Sequence, residues 1–134
     1  MRALGLEDAR AEADDDAVWD RQRAAQRSAD GIVLKVSGRP TDLSAVIAVA
    51  RSQRGTVVTR AAHGLSWLAL PAGADVAAVR ERLHPRPVAV LDGAGKVAQA
   101  WPEPPAGTLA VMARVKERFD PARIFRPGAY VGGI

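Results

Sequence analysis

Hydrophobic and polar positions along this chain switch several times between a helical period and the short apolar runs of strands. Val18, Trp19, Gln22, Ala25 and Gln26 fall on neighbouring turns while Arg21, Arg23 and Arg27 face away, which predicts a helix over about 15–28 with Trp19 as a packing anchor. Asp14, Asp15 and Asp16 ahead of it supply a cap and first-turn carboxylates for the positive helix end. Gly31 breaks the pattern, and the β-branched run 32–36 predicts a strand closed by Ser37-Gly38-Arg39-Pro40. Thr41 or Asp42 then caps a second helix, with Leu43, Val46, Ile47 and Ala50 spaced three and four apart and a stop near Arg54-Gly55. Residues 56–62 read as a strand, His63-Gly64 as a tight connection and 65–70 as the hairpin partner. A helix over 75–83 turns Val76, Val79 and Leu83 inward. A strand over 88–91 follows, with a short fifth strand over 97–101 as a further expectation.

The last helix shows the helical period best. Leu109, Met112, Val115 and Phe119 recur on one face that should lie on a core, leaving Arg114, Lys116, Glu117 and Arg118 wet. Asp120-Pro121 stops it, because proline disfavours a helical residue before it. Ile124 and Phe125 then form a short apolar plug, and Pro127-Gly128 makes a second break. The core order of strand, helix, strand, strand, helix, strand predicts an α+β, ferredoxin-like βαββαβ antiparallel sheet with extra N- and C-terminal helices. Two helices should cover one sheet face. The first and last helices, or another domain, are left to cover the other.

Composition narrows the chemistry. The 134 residues suit one domain, with 1–14 read as a flexible lead-in carrying Leu4 and Leu6. There is no cysteine, so disulfides and thiolate metal sites are out. Nineteen Lys and Arg against fifteen Asp and Glu give +4, but the basic residues are interspersed with acids, the pattern of a solvated face rather than a nucleic-acid patch. No run of about 18 apolar residues or signal pattern is found, so no transmembrane segment and a cytoplasmic location are expected. The three adjacent aspartates point in different directions on a helix, against a metal site. His63 is a turn residue and His84 a helix-end residue, neither with the carboxylate company of a catalytic base. Gly93 and Gly95 form a turn with no helix behind them to cradle a phosphate. No catalytic residue is assigned. Arg123 and Arg126 beside Asp120 can reach a phosphate or carboxylate or stay solvated, and Trp67 and Trp101 can wall a substrate pocket or pack in a core or interface.

The run VKERFDPARIFRPGAYVGGI resembles the C-terminus of FAD-linked oxidases of the vanillyl-alcohol-oxidase type. The nearest likeness is the FAD-binding subunit of bacterial glycolate oxidases. Lys116, Phe119, Asp120, Pro121, Pro127 and Gly128 carry the match, with the tail Val131-Gly132-Gly133-Ile134. Arg126 stands where many relatives have Asn, and Ala129 where a basic residue is common. The resemblance implies that 15–134 is a C-terminal cap domain, often of ferredoxin-like build, that closes over FAD held by an N-terminal domain for which this chain has no room. It implies a parent passing a hydride from a small 2-hydroxy acid to FAD, a fragment inactive alone, and an iron-sulfur subunit as a further neighbour. Arg126, Pro127, Gly128 and Tyr130 become the flavin-side candidates, and Trp67 and Trp101 the substrate-side ones. A different class also stays open: a free-standing ferredoxin-like module that senses a small molecule or binds RNA on a sheet face with exposed aromatics.

Overall fold

The computed structural model describes residues 14–93, 95, 97 and 99–134; the lead-in residues 1–13, with Leu4 and Leu6, lie outside them. Helices α1 (Asp16–Ala24), α2 (Leu43–Ser52), α3 (Val76–Leu83) and α4 (Thr108–Phe119) and strands β1 (Ile32–Ser37), β2 (Thr56–Arg60), β3 (Leu65–Leu70) and β4 (Val88–Asp92) follow in the order α1-β1-α2-β2-β3-α3-β4-α4. The four strands form one antiparallel sheet in the order β2-β3-β1-β4, the ferredoxin-like order.

The two central strands explain the core. Ile32, Leu34 and Val36 of β1 pair across to Leu70, Leu68 and Ser66 of β3, and Leu34 and Val36 to Val90 and Val88 of β4, so one face of the sheet is nearly all aliphatic. Val46, Val49 and Ala50 of α2 and Val76, Val79 and Leu83 of α3 complete that buried cluster. Asp75 caps α3 by accepting the Ala78 amide at 3.0 Å. A cis His84–Pro85 bond lies in the step from α3 to β4.

Several details differ from the sequence reading. Asp42 stands at the start of α2 but caps none of its amides; its carboxylate turns back to the Arg39 amide at 2.9 Å and the Arg86 guanidinium at 2.7 Å. The left-handed residue after α2 is Arg54, not Gly55. β2 ends at Arg60 because Ala61–His63 wind into a single 3-10 turn. Gly64 follows at φ 63°, its carbonyl accepting the Gly38 amide at 2.9 Å, so close that a Cβ there would overlap the Gly38 carbonyl. No fifth strand forms among the described residues of 97–101. Ala100 instead takes one strand-like bond from the Val90 amide at 2.8 Å, and Arg80 ties it to β4 by donating to the carbonyls of Val88 and Ala100, both at 3.1 Å. Burial lowers the Arg80 pKa from its ordinary value.

The terminal helices depart furthest. α1 is shorter than expected and buries no residue; Val18 and Trp19 are exposed, and the Trp19 indole donates to Asp15 at 2.6 Å rather than anchoring in a core. Asp15 therefore spends its carboxylate on Trp19, and it is Asp14 that accepts the Asp16 amide, at 3.2 Å. α4 also buries none of its residues.

Candidate functional site

The C-terminal segment holds most of the residues singled out from sequence, and its geometry starts at the end of α4. Lys116 and Asp120 lie one helical turn apart and form an ion pair. The Asp120 carboxylate, only 5% exposed, also accepts the amides of Ile124 at 2.9 Å and Phe125 at 3.1 Å. Lys116 closes the ring by donating to the Phe125 carbonyl at 2.7 Å. The Lys116 ammonium, followed by the two amides, holds the Asp120 pKa below the ordinary carboxylate value. Asp120-Pro121 thus does more than stop a helix: it clamps the loop that follows.

What the clamp presents is apolar. Ile124 is 72% exposed and Phe125 66%, so they do not plug a core of this chain. Of the predicted inward face of α4, Phe119 at 79%, Val115 and Leu109 are exposed and only Met112 is half-buried, so most of that face points out, with Val111 exposed beside it. Lys116, expected to be wet, is instead drawn into the clamp with a quarter of its side chain accessible. Arg123 and Arg126 adopt left-handed backbone at φ 53° and 38°, which L side chains rarely take.

Beyond the clamp, Gly128 at φ 78° turns the chain, with the Ala129 amide donating to the Arg126 carbonyl at 3.2 Å. Trp101 then fixes the tail: its indole donates to the Ala129 carbonyl at 3.2 Å, and its ring meets Tyr130 edge-on at 4.5 Å. Gly132 packs so closely on Leu109 that a Cβ would overlap it, which returns the tail to the first turn of α4. The structure therefore brings Arg126, Pro127, Gly128, Tyr130 and Trp101 together. Trp67 is not among them. It sits in β3 opposite Lys35 and Val58, 7% exposed, with the Arg60 guanidinium 5.6 Å above its ring.

Two concavities bear on what could bind. One, of about 10 Å³, lies beside Asp42, Thr59 and Ser66 and has room for about one water. The other is a shallow depression of about 640 Å³ lined by Val111, Arg114, Val115, Glu117, Arg118 and Phe119. All six belong to α4, so no second wall closes it, and it suits a protein surface better than a small molecule. Neither includes Arg126, Pro127, Gly128 or Tyr130, which are all exposed. These four make no cradle for a flavin.

Sequence reasoning missed the Asp42–Arg86 pair, in which the Arg86 hydrogen bond and the Arg39 amide push the Asp42 pKa far below the carboxylate range and Asp42 raises that of Arg86. The two residues are 44 positions apart, and nothing local announces their meeting. The Asp120 clamp was more accessible, since Lys and Asp at i and i+4 before proline is a local signal.

Among the described residues, no three His, Asp or Glu side chains group to hold a metal, and no helix is long and apolar enough to cross a membrane. No protein-family model, curated protein or solved structure matches the chain.

Proposed function

We propose that this chain is the cap domain of a flavin-dependent 2-hydroxy-acid oxidase or dehydrogenase, glycolate being the model substrate, and that it is inactive alone. The observation that carries the reading is the exposed apolar surface of α4 with Ile124 and Phe125, held out by a buried carboxylate: a surface built for another body. The resemblance of VKERFDPARIFRPGAYVGGI to the C-termini of FAD-linked oxidases and the ferredoxin-like strand order support the same reading.

Bound FAD would supply the hydride acceptor, and the chain would supply closure and orientation. The Arg126 guanidinium is suited to a substrate carboxylate or a flavin phosphate. The Trp101–Tyr130 pair, locked by the Ala129 bond, offers a rigid apolar edge beside it that would exclude water. The RNA-binding alternative finds no support in the sheet, because Trp67 is buried and offers no free ring to a base.

The test is spectroscopic and kinetic. Purified chain mixed with FAD should remain without bound flavin absorbance after gel filtration. Added to the FAD-loaded flavin-binding domain of a glycolate-oxidase-type protein from the same organism, it should raise glycolate oxidation. A yellow stoichiometric complex of the chain alone, or no change in oxidation on adding it, overturns the reading.

A further inference from the structure

We infer that Arg80, on α3, is a positioning residue for the C-terminal tail: acting through Ala100 and Trp101, it sets where Ala129, Tyr130 and Arg126 stand. The effect of this role on turnover rests on the function proposed above, to which it adds a residue far from the tail in sequence.

One guanidinium bridges two stretches of chain. The Arg80 Nε donates to the Val88 carbonyl and its Nη2 to the Ala100 carbonyl, both at 3.1 Å, so a single planar fork spans β4 and the segment that follows it. The Ala100 carbonyl also accepts the Val90 amide at 2.8 Å and is therefore held by two donors. It lies in the same peptide plane as the Trp101 nitrogen, so fixing it fixes the backbone from which the Trp101 side chain leaves.

Trp101 carries the constraint onward. Its indole donates to the Ala129 carbonyl at 3.2 Å, and its ring meets Tyr130 at 4.5 Å. Ala129 in turn donates its amide to the Arg126 carbonyl at 3.2 Å. The relay crosses 20 and then 28 positions of sequence in two hydrogen bonds.

The cost of the residue shows what it is for. Arg80 is half-buried and forms no ion pair among the described residues. A guanidinium drawn out of water without a counter-charge loses hydration, and its pKa is lowered accordingly. An apolar residue would cover the core without that cost, as Val76, Val79 and Leu83 do on the same helix. What the charge gains is the two carbonyls, and one of them belongs to the residue before Trp101. Arg82, on the same helix, bonds instead to the Ser52 Oγ at 2.6 Å.

The experiment follows hydrogen exchange by NMR in the full chain, and glycolate turnover after mixing it with the FAD-loaded flavin-binding domain named above. Arg80→Lys keeps the charge but loses the fork, and should speed exchange at the Trp101 indole and the Ala129 amide about 10-fold, the size of one lost hydrogen bond. Trp101→Phe should speed Ala129 by a similar factor, and the double variant no more than Trp101→Phe alone, since one residue acts through the other. Arg82→Lys serves as the control and should leave both sites as they are. In the turnover assay Arg80→Lys and Trp101→Phe should each raise the KM for glycolate about 10-fold and leave kcat nearly unchanged, the signature of lost substrate placement. Additive effects of the two substitutions on Ala129, or an unchanged Ala129 amide in folded Arg80→Lys, overturn the assignment. If Arg80→Lys and Arg80→Gln both fail to fold by circular dichroism, Arg80 serves the core and the assignment falls as well. If the unaltered chain does not raise glycolate oxidation, the cap reading falls, and the exchange data decide the role of Arg80 by themselves. Exchange as expected with an unmoved KM would confine that role to the tail and remove its bearing on substrate.

Discussion

α2 and α4 are similar as sequences and opposite as structures. Each carries apolar residues at three- and four-residue spacing, although the residues between them are small or apolar in α2, whose one charge is Arg51, and mostly charged in the second half of α4. α2 buries Val46, Val49 and Ala50 against the sheet, while α4 leaves Val111, Val115 and Phe119 in water and buries nothing. The difference teaches that an amphipathic pattern specifies a face and not its partner. For α2 the partner is the aliphatic side of β3 and β2 together with α3, all part of one buried cluster. α4 is instead organised locally, by Asp120 at its end and by Gly132 and Leu109 at its start.

The sharpest way to break that comparison is to cut apolar side chains on both sides of it. Leu34→Ala removes a fully buried side chain at the centre of the sheet and should cost about 2–5 kcal/mol in urea unfolding, combining lost transfer energy with the cavity left behind. A loss well under this range would mean that the sheet core is not what holds the fold.

Glycines give the next contrast. Gly64 and Gly128 both have left-handed backbone, at φ 63° and 78°. A Cβ at Gly128 meets nothing within 4 Å, so Gly128→Ala should cost only the backbone strain, about 1 kcal/mol. At Gly64 the Cβ would also overlap the Gly38 carbonyl, so Gly64→Ala should lower stability by about 2 kcal/mol or more. Equal effects in thermal unfolding would argue that the turn at Gly64 relaxes freely.

These outcomes bear on how much of the molecule was legible in its sequence. β3 was readable to the residue because its run of large apolar side chains is bounded by Gly64 and Pro71, which end a strand on physical grounds. In α2 the period was right, but Val49 proved buried while Leu43 and Ile47 are only half-buried, since the sheet's position sets which side of a stripe sinks deepest. Trp19 could not be read correctly: an indole on a helix has the same pattern whether it meets a core or the carboxylate of Asp15. Of the site, the stop at Asp120 was visible, yet its second role depends on loop amides that only the fold brings within reach. The contact of Trp101 with Tyr130 and the Asp42–Arg86 pair are tertiary facts, joining distant stretches of chain.

Acid should separate the two regions by degree. Asp42, in the folded body, and Asp120, in the C-terminal segment, both have pKa values lowered by their partners. As pH falls below about 3.9, the ordinary aspartate value, the unfolded chain takes up protons that the folded carboxylates resist, so stability is full above that pH and declines below it. Asp42→Asn should flatten the acid slope of global unfolding. Asp120→Asn should leave that slope nearly intact and instead speed hydrogen exchange at the Ile124 and Phe125 amides, which lose their acceptor. If Asp120→Asn shifts the global midpoint as much as Asp42→Asn does, the C-terminal segment belongs to the same cooperative unit as the sheet.

The smallest expected effect is the most discriminating. Phe119 belongs to the predicted inward face of α4 yet is 79% exposed, so Phe119→Ser removes little that the folded chain uses. Surface substitutions of this kind usually change stability by no more than about 0.5 kcal/mol, and the unfolding midpoint should stay within that margin. Leu34 and Phe119 are both large apolar residues at the right period, and the difference between their responses measures whether a partner surface lies within the chain. A loss above about 2 kcal/mol from Phe119→Ser would have the size of a core truncation. It would place the α4 face against this chain's own residues in solution and remove the exposed surface on which the proposed function rests.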